Sequence, residues 1–375
     1  MRAIGSLCLS LAISLALLTG TEARNADSID KCPPLKVRRN GPKDVTDVRI
    51  DDIKVIAALG DSIIGGFGLM GKGNGTTTIN TVIEYRGESY PIGGNDGAET
   101  LATYTKRYQP KLKGASVGEH LVERCNLEYC PPTEYRPSID NLNGARSGAV
   151  AKSLDPELDY VIPRMKNYPG VDFENDWKLI TIQIGSNDQC GSCTSFANES
   201  TVEAYTLYVE SAIERIQNNI PKIIVNLIGN LRVSALLPLA EAHAEYCPST
   251  DTSVNYFTPK AECPCLASQD QTDTMDYLAD NYDKALINIA HKYRARKGGD
   301  FAVVYQPYDI NFISFPVQAL SSLDCFHPSL TLHKYFSKIF WNSLFLPSQR
   351  KPQHYSYDPN LTLYCPKQKD RIATK

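Results

Sequence analysis

A serine at the end of an apolar segment is the first candidate for chemistry in this chain. Residues 54–59 read Lys-Val-Ile-Ala-Ala-Leu, and Gly60-Asp61-Ser62-Ile63 follows directly. The apolar run predicts a buried strand. A hydroxyl at the turn after that strand would be exposed on a rigid support, which is where α/β folds place reactive groups. The same four residues are also common in ordinary turns, so Ser62 alone does not identify a nucleophile.

Three later blocks carry the other groups that acyl transfer needs. They are, in chain order, Ser147-Gly148-Ala149, Gly185-Ser186-Asn187-Asp188 and Asp324-Cys325-Phe326-His327. Each block follows a plausible strand. Taken singly, each also has a plain structural interpretation: a turn glycine, an Asx turn or a packed loop histidine. Together with Ser62, and in this order, they predict a catalytic site.

Ester hydrolysis by a serine needs an activated nucleophile, a residue that orients the activating base, and donors for the oxyanion. Ser62 is the predicted nucleophile and His327 the predicted base, because an unperturbed histidine pKa of about 6.5 suits proton transfer near neutral pH. Asp324 is the predicted orienting residue. Its three-residue separation from His327 predicts a helical turn with both side chains on one face. Asp61 is interpreted as a cap of a turn or helix.

The order of serine, glycine, asparagine and histidine, with an aspartate three residues before the histidine, resembles the SGNH (GDSL-type) hydrolases over roughly residues 52–347. The phospholipase B-like branch of that superfamily is nearer still. The stretches that carry the resemblance are 55–62, 85–89 with 92–94, 177–188, 225–227 and 324–328. The chain departs from the family at 63–66, where Ile-Ile-Gly-Gly replaces the Leu-Thr-Ala-Gly that often follows the serine.

The resemblance implies a three-layer α/β/α sandwich with a central, mainly parallel sheet. It also implies an oxyanion hole made by the backbone N–H groups of Ser62 and Gly148 and the side-chain amide of Asn187. The implied substrate is a phospholipid or lysophospholipid, met transiently at a membrane or micelle surface and cleaved to free fatty acids. The implied mechanism needs neither a metal nor another cofactor.

Two other functions stay open at this point. One is an acetylesterase of the same fold that acts on carbohydrate or small esters, and the other is a secreted lipid-binding protein without catalysis. The apolar residues Phe67, Leu69 and Met70 follow the nucleophile closely, so they are candidates for an acyl pocket or for contact with a lipid aggregate. Packing on the sheet explains them equally well.

Strands and helices are predicted to alternate along the chain. The predicted strands are 53–60, 138–142, 179–184, 222–228 and 301–305. The predicted helices are 99–108, 158–167, 202–220, 272–296 and 329–344. Such alternation predicts a parallel sheet covered by helices on both sides. We therefore expect one hydrolase domain over residues 51–347, with a cysteine-bearing insert near 230–270.

The ends of the chain predict export. Residues 1–23 read as a signal peptide, with Arg2, a short apolar stretch over 4–18 and a small-residue cleavage site at 21–23. Residues 24–50 are expected to form an N-terminal arm and 348–375 a C-terminal tail. The net charge of −3 gives no basic field for nucleic acid. Glycosylation sequons begin at Asn74, Asn198 and Asn360, as expected for surface loops of a secreted protein.

The cysteines agree with an oxidising compartment. The chain has 11, and removal of Cys8 with the signal peptide leaves an even number, which favours disulfides. Local pairs are expected between Cys125 and Cys130 and between Cys190 and Cys193, and Cys325 is expected to tie the histidine block to a neighbour. The competing hypothesis is a zinc site built on Cys190-x-x-Cys193 and Cys263-x-Cys265, which secretion and the lack of a second Cys-x-x-Cys pair disfavour.

Overall fold

The computed structural model describes residues 25–72, 82–127, 130, 135–247 and 257–374. The predicted signal peptide and the sequon at Asn74 lie outside these residues. The strands are β1 (Asn25–Ala26), β2 (Ile53–Gly60), β3 (Ile83–Glu84), β4 (His120–Leu121), β5 (Trp177–Gln183), β6 (Ile223–Ile228), β7 (Phe301–Gln306), β8 (Asp309–Ile310), β9 (His354–Tyr355) and β10 (Leu363–Tyr364). The helices are α1 (Ser62–Gly65), α2 (Leu101–Tyr108), α3 (Leu154–Lys166), α4 (Ser186–Gly191), α5 (Val202–Asn219), α6 (Leu237–Glu241), α7 (Pro259–Glu262), α8 (Gln269–Lys292) and α9 (Leu330–Ser343). Over this part of the chain, no helix is both long enough and apolar enough to span a membrane.

Four parallel strands form the central sheet, in the order β2-β5-β6-β7. Strands β5 and β6 are buried at every position. Their apolar runs are typical of parallel strands that are covered on both faces. Four of the five predicted strands are confirmed, with β5 beginning at Trp177 rather than Leu179.

Helices cover both faces of this sheet. On one face α3, α5 and α8 pack together, and Leu158 and Ile213 share a core cluster with Val55 of β2. On the other face α2 and α9 pack together, and Phe340 shares a second core cluster with Ile56, the next residue of β2. Each large apolar side chain buried in this way contributes about 1.5–3 kcal/mol to stability. The fold is therefore the predicted three-layer α/β/α sandwich with a central parallel sheet.

Residues 138–142 do not form the predicted strand. The N–H of Ile139 donates to the carbonyl of Arg136 at 2.8 Å, which closes a turn there. Beyond the turn, Asn143 makes only an isolated bridge with Ala58 of β2. The prediction failed because a few apolar residues in a row satisfy a strand pattern, whereas the local hydrogen bonds favour a turn.

The segments predicted as an N-terminal arm (24–50) and a C-terminal tail (348–375) contact each other. Strand β1 pairs with β10 in antiparallel orientation. Close to this pair, a disulfide joins Cys32 to Cys365. The two ends of the described chain are therefore held together both by backbone hydrogen bonds and by a covalent bond.

The described residues form five disulfides, and three of them connect the insert near 230–270 to the rest of the domain. The pairs are Cys32–Cys365, Cys125–Cys130, Cys190–Cys263, Cys193–Cys265 and Cys247–Cys325. The predicted Cys125–Cys130 pair is confirmed, and Cys325 does tie the histidine block to a neighbour. The predicted Cys190–Cys193 pair is wrong, because the insert packs across α4 and supplies a partner for each cysteine. With these thiols oxidised, they cannot act as zinc ligands.

Candidate active site

Ser62 is the first residue of α1 and follows the carboxyl end of β2 after a sharp turn. The turn requires glycine at position 60, since a Cβ there would lie 2.2 Å from the carbonyl oxygen of Gln183. Asp61 caps α1, and its Oδ1 accepts the N–H of Ile63 at 2.9 Å. The interpretation of Asp61 as a cap is confirmed. The turn places the Ser62 hydroxyl at the end of β2, which pairs with β5 on one side and makes isolated bridges to Lys113 and Asn143 on the other.

The imidazole of His327 lies between Ser62 and Asp324. Its Nε2 is 2.8 Å from Ser62 Oγ, and its Nδ1 is 2.6 Å from Asp324 Oδ2. Asp324 is fully buried, and both Ser62 and His327 are nearly so. Hydroxyl, imidazole and carboxylate thus form one continuous chain of hydrogen bonds. This is the arrangement in which an imidazole can take the proton of a serine while a carboxylate holds its tautomer.

Asp324 and His327 lie in a turn, and the predicted helical turn is wrong. Asp324 Oδ1 accepts the backbone N–H groups of Phe326 at 2.9 Å and of His327 at 3.0 Å. Cys325 has a φ of 49°, which is incompatible with a right-handed helix. Its disulfide to Cys247 ties the turn to the insert. One oxygen of the carboxylate therefore shapes the turn, while the other oxygen orients the imidazole.

The surroundings of His327 raise the pKa of its imidazolium. Burial is the largest single influence and opposes the charged form, but the charge and hydrogen bond of Asp324 and the charge of Glu262 together outweigh it. Arg124 acts in the opposite direction. A raised pKa makes His327 a stronger acceptor for the serine proton, and it also extends the pH range in which the imidazole is already protonated.

Gly148 and Asn187 lie on two segments that meet beside this chain of hydrogen bonds. Asn187 is in α4, directly after β5, and its Nδ2 donates to the carbonyl of Ala149 at 2.8 Å. Gly148 has a φ of 78°, and a Cβ there would lie 2.3 Å from the carbonyl oxygen of Cys125. No acceptor for the backbone N–H of Gly148 or of Ser62 occurs among the described residues. Both N–H groups are thus available to a ligand.

A cavity of about 530 Å³ opens beside these donors. Gly148 and Asn187 belong to its lining, whereas Ser62 and His327 do not. The loop that carries the glycine is held against the nucleophile turn, because the backbone N–H of Arg146 donates to the carbonyl of residue 60 at 3.0 Å. The cavity therefore borders the side of the site that carries Gly148 and Asn187, and its size is within the range of small-molecule pockets.

The three apolar residues after the nucleophile lie in different surroundings. Phe67 is buried, and its ring is 4.3 Å from the imidazole of His327, centroid to centroid. Leu69 is buried as well, and its carbonyl accepts the N–H of Leu330. Met70 is 47% exposed. The structure thus brings Phe67 to the candidate site, packs Leu69 inward and leaves Met70 facing solvent.

Sequence reasoning missed a group of buried carboxyls beneath the site. Glu157 of α3 accepts the N–H of Gly60 at 2.9 Å, and Asp188 accepts the N–H of Ala151 at 3.0 Å. Burial raises the pKa of Asp61 to about 6 and that of Asp188 to about 7, and it also raises the pKa of Glu157. Asp61 and Asp188 stand inside the recognised blocks. Glu157 has no signal in the sequence, because its partner is far away along the chain.

The other predicted positions have plain surroundings. His333 of α9 accepts the N–H of Tyr90 at 3.1 Å, and burial lowers the pKa of this histidine to about 3, so it has a structural role. Asn198 and Asn360, the two sequon asparagines that the structure describes, are exposed.

Comparison with known proteins places the chain among lipases and acylhydrolases. The profile of the family described as GDSL-like Lipase/Acylhydrolase matches residues 56–340. The chain is 27% identical over 350 residues to membrane-associated phospholipase B1 of Rattus norvegicus and 28% identical over 356 residues to that of Homo sapiens. These alignments cover 90% of this chain but only 23% and 22% of the relatives, so the chain spans less than a quarter of their length.

A solved structure with a similar backbone is a variant of Axe2, an acetyl xylan esterase from Geobacillus stearothermophilus. It has a TM-score of 0.37 and 14% sequence identity, and the match covers 76% of this chain and 94% of that chain. Because the family profile spans most of the sequence, this chain belongs to the GDSL-like lipase/acylhydrolase family.

Proposed function

We propose that this protein is a secreted serine esterase that hydrolyses carboxylic esters of phospholipids and lysophospholipids to free fatty acids. The observation that carries the proposal is the hydrogen-bond chain, with 2.8 Å between His327 Nε2 and Ser62 Oγ and 2.6 Å between Nδ1 and Asp324 Oδ2. Family membership supports ester hydrolysis independently of this geometry.

In the proposed reaction Ser62 Oγ attacks the ester carbonyl carbon while its proton passes to His327 Nε2. The backbone N–H groups of Ser62 and Gly148 and the Nδ2 of Asn187 donate to the oxyanion that forms. When the tetrahedral intermediate collapses, the leaving alcohol takes the proton from His327 and an acyl-serine remains. A water molecule then attacks the acyl group with the same base, which releases the fatty acid and restores Ser62.

The phospholipid part of the proposal is supported by the relatives named phospholipase B1, which align with 90% of this chain. The cavity adds support, because Leu127, Phe196 and Pro264 give it an apolar wall. Contact with a lipid surface is supported by the exposed apolar side chain of Met70, which follows the nucleophile closely in the sequence. Secretion is supported by the apolar N-terminal segment and by the disulfides, which persist in oxidising compartments.

The nucleophile is tested by labelling with a serine-reactive fluorophosphonate. Wild-type protein is expected to be labelled once, at Ser62, and Ser62→Ala is expected to lose both the label and ester turnover. Ser348→Ala, which changes an exposed serine, is the matched control and should behave as wild type. Labelling at another serine, or full turnover by Ser62→Ala, would contradict the assignment.

The substrate is tested with a phosphatidylcholine that carries two different acyl chains. Mass spectrometry of the products is expected to detect both fatty acids. Acetate release from acetylated xylan without any fatty-acid release would favour the acetylesterase alternative. Binding of the lipid with no release from either substrate would favour a non-catalytic lipid-binding protein.

A further inference from the structure

A cationic side chain, that of Arg124, lies beside the proposed oxyanion hole. Arg124 is in the lining of the 530 Å³ cavity that also contains Gly148 and Asn187. Its side-chain stem lies beside the glycine, because Arg124 Cγ is 3.3 Å from the point where a Cβ on Gly148 would lie. Among the lining residues that the structure describes, Arg124 is the only one with a permanent positive charge.

The guanidinium of Arg124 is bonded to one buried carboxylate and is partly exposed. Its Nη2 donates to Oε2 of Glu262 at 2.8 Å, and the side chain of Glu262 is only 3% exposed, whereas that of Arg124 is 42% exposed. No described residue accepts a hydrogen bond from Nε or Nη1 of Arg124. A planar guanidinium has five N–H donors in a fixed fork, and this fork matches the oxygens of a phosphate. A buried carboxylate therefore orients a cation that lines the cavity and has N–H donors to spare for a ligand.

The backbone on both sides of this ion pair is fixed. Cys125, the next residue after Arg124, donates its N–H to the carbonyl of Ser147 at 2.8 Å and is bonded to Cys130. On the other side, Cys263 follows Glu262 and is bonded to Cys190. Both halves of the pair are thus anchored to segments that adjoin Gly148 and Asn187, so the guanidinium keeps its place relative to the proposed oxyanion donors.

We propose that Arg124 binds the phosphate of a phospholipid substrate while the ester carbonyl lies in the oxyanion hole. In a glycerophospholipid the sn-2 carbonyl carbon is separated from the phosphorus by five covalent bonds, so an anion must lie near the reacting carbonyl. The guanidinium carbon of Arg124 is three bonds beyond the Cγ that lies beside Gly148. Acetylated sugars and neutral glycerides carry no anion at this distance and would gain nothing from Arg124. The inference rests on the proposed function and names the group that would select phospholipids.

The test compares two lipids that differ in the phosphate head group alone. Dioleoylphosphatidylcholine and dioleoylglycerol are presented at equal mole fractions in the same Triton X-100 micelles, and kcat/KM is measured as oleate release. In Arg124→Gln the ratio of phosphatidylcholine to diacylglycerol turnover is expected to fall about 10- to 100-fold, as for loss of a hydrogen bond to a charged group. Arg124→Lys keeps the charge without the fork and should lie between this variant and wild type.

Two further variants separate recognition from support of the site. Arg124→Gln combined with Glu262→Gln leaves no unpaired carboxylate, and the same fall in the ratio is expected. Arg215→Gln removes an arginine that is paired with Asp155 at 2.6 Å on the α3–α5 side, and the ratio should not change. An equal loss on both lipids in the single and the double Arg124 variants would overturn the phosphate subsite and leave the esterase proposal standing. A wild-type protein that is inactive on both lipids would overturn the proposed function and the subsite with it.

Discussion

The two halves of the candidate site are supported in different ways. Ser62 and Asn187 directly follow neighbouring strands of the central sheet, and short helices begin at or just before them. Asp324 and His327 lie in a turn without regular secondary structure, which is held by carboxylate hydrogen bonds and by the Cys247–Cys325 disulfide. The first half depends on the folding of the sheet, and the second depends on a covalent link to the insert.

The sheet and the insert therefore position different parts of the candidate site. Strand ends position groups rigidly because the strands themselves are held by the hydrogen bonds and the packing of the sheet. A loop residue needs additional constraints to hold a base within hydrogen-bond distance of the serine, and Phe67 against the imidazole is one of them. We therefore expect removal of a reacting group to lower kcat equally in the two halves. Removal of a contact that only holds a reacting group in place should lower kcat unequally.

The largest effect is expected from removal of the base. His327→Ala should lower kcat about 10⁴-fold or more, and the double variant with Ser62→Ala should be no worse, since the two residues act as one unit. His291→Ala, which changes an exposed histidine, is the control. Additive losses in the double variant, measured as kcat on a soluble ester, would mean that the two halves act independently.

Removal of an oxyanion donor should have the next largest effect. Asn187→Ala is expected to lower kcat about 10²- to 10³-fold, equivalent to about 2.7–4 kcal/mol of transition-state stabilisation. KM and the melting temperature should change little, because the side chain is partly exposed and makes one backbone contact. Steady-state kinetics with a thermal melt as the fold control decide this, and an unchanged kcat would remove Asn187 from the oxyanion hole.

The disulfide at the histidine turn should affect catalysis through geometry. Cys247→Ala with Cys325→Ala is expected to lower kcat about 10- to 100-fold, because small misplacements of reacting groups are costly. The stability loss should be about 2–4 kcal/mol, typical of a native disulfide.

The matched control for that prediction is the disulfide between the terminal segments. Cys32→Ala with Cys365→Ala should lower the free energy of unfolding by at least as much, since that pair closes a much longer loop, with a sequence separation of 333 against 78. Its kcat should stay at the wild-type value. Equal kcat values in the two double variants would show that the sheet alone is sufficient to position the base.

The same division between sheet and insert explains what the sequence could predict. β2, β5 and the residues at their ends were predictable because apolar runs and short blocks are local signals. The bond from Glu157 to Gly60 and the partners of Cys190 and Cys193 were not, because each joins segments that lie far apart in the sequence and carry no shared pattern. The Asp324–His327 spacing fitted a helical turn equally well, and only the disulfide and the backbone contacts of the carboxylate distinguish the turn that forms.

The smallest predicted effect concerns the pH dependence of the base. Burial disfavours the charged form of His327, yet Asp324 and then Glu262 hold its pKa above the ordinary value, with Arg124 opposing them. Catalysis needs the neutral imidazole, so kcat/KM should rise with pH through this raised pKa.

Glu262→Gln removes one of the charges that raise the pKa of His327 and leaves the charge of Arg124 uncompensated. Both changes lower the pKa of His327, so the acidic limb of the pH profile should move to lower pH. Asp309→Asn, which changes a half-exposed carboxylate paired with His354, should leave the limb in place, and a shift of the Glu262→Gln limb to higher pH would contradict this account of the insert.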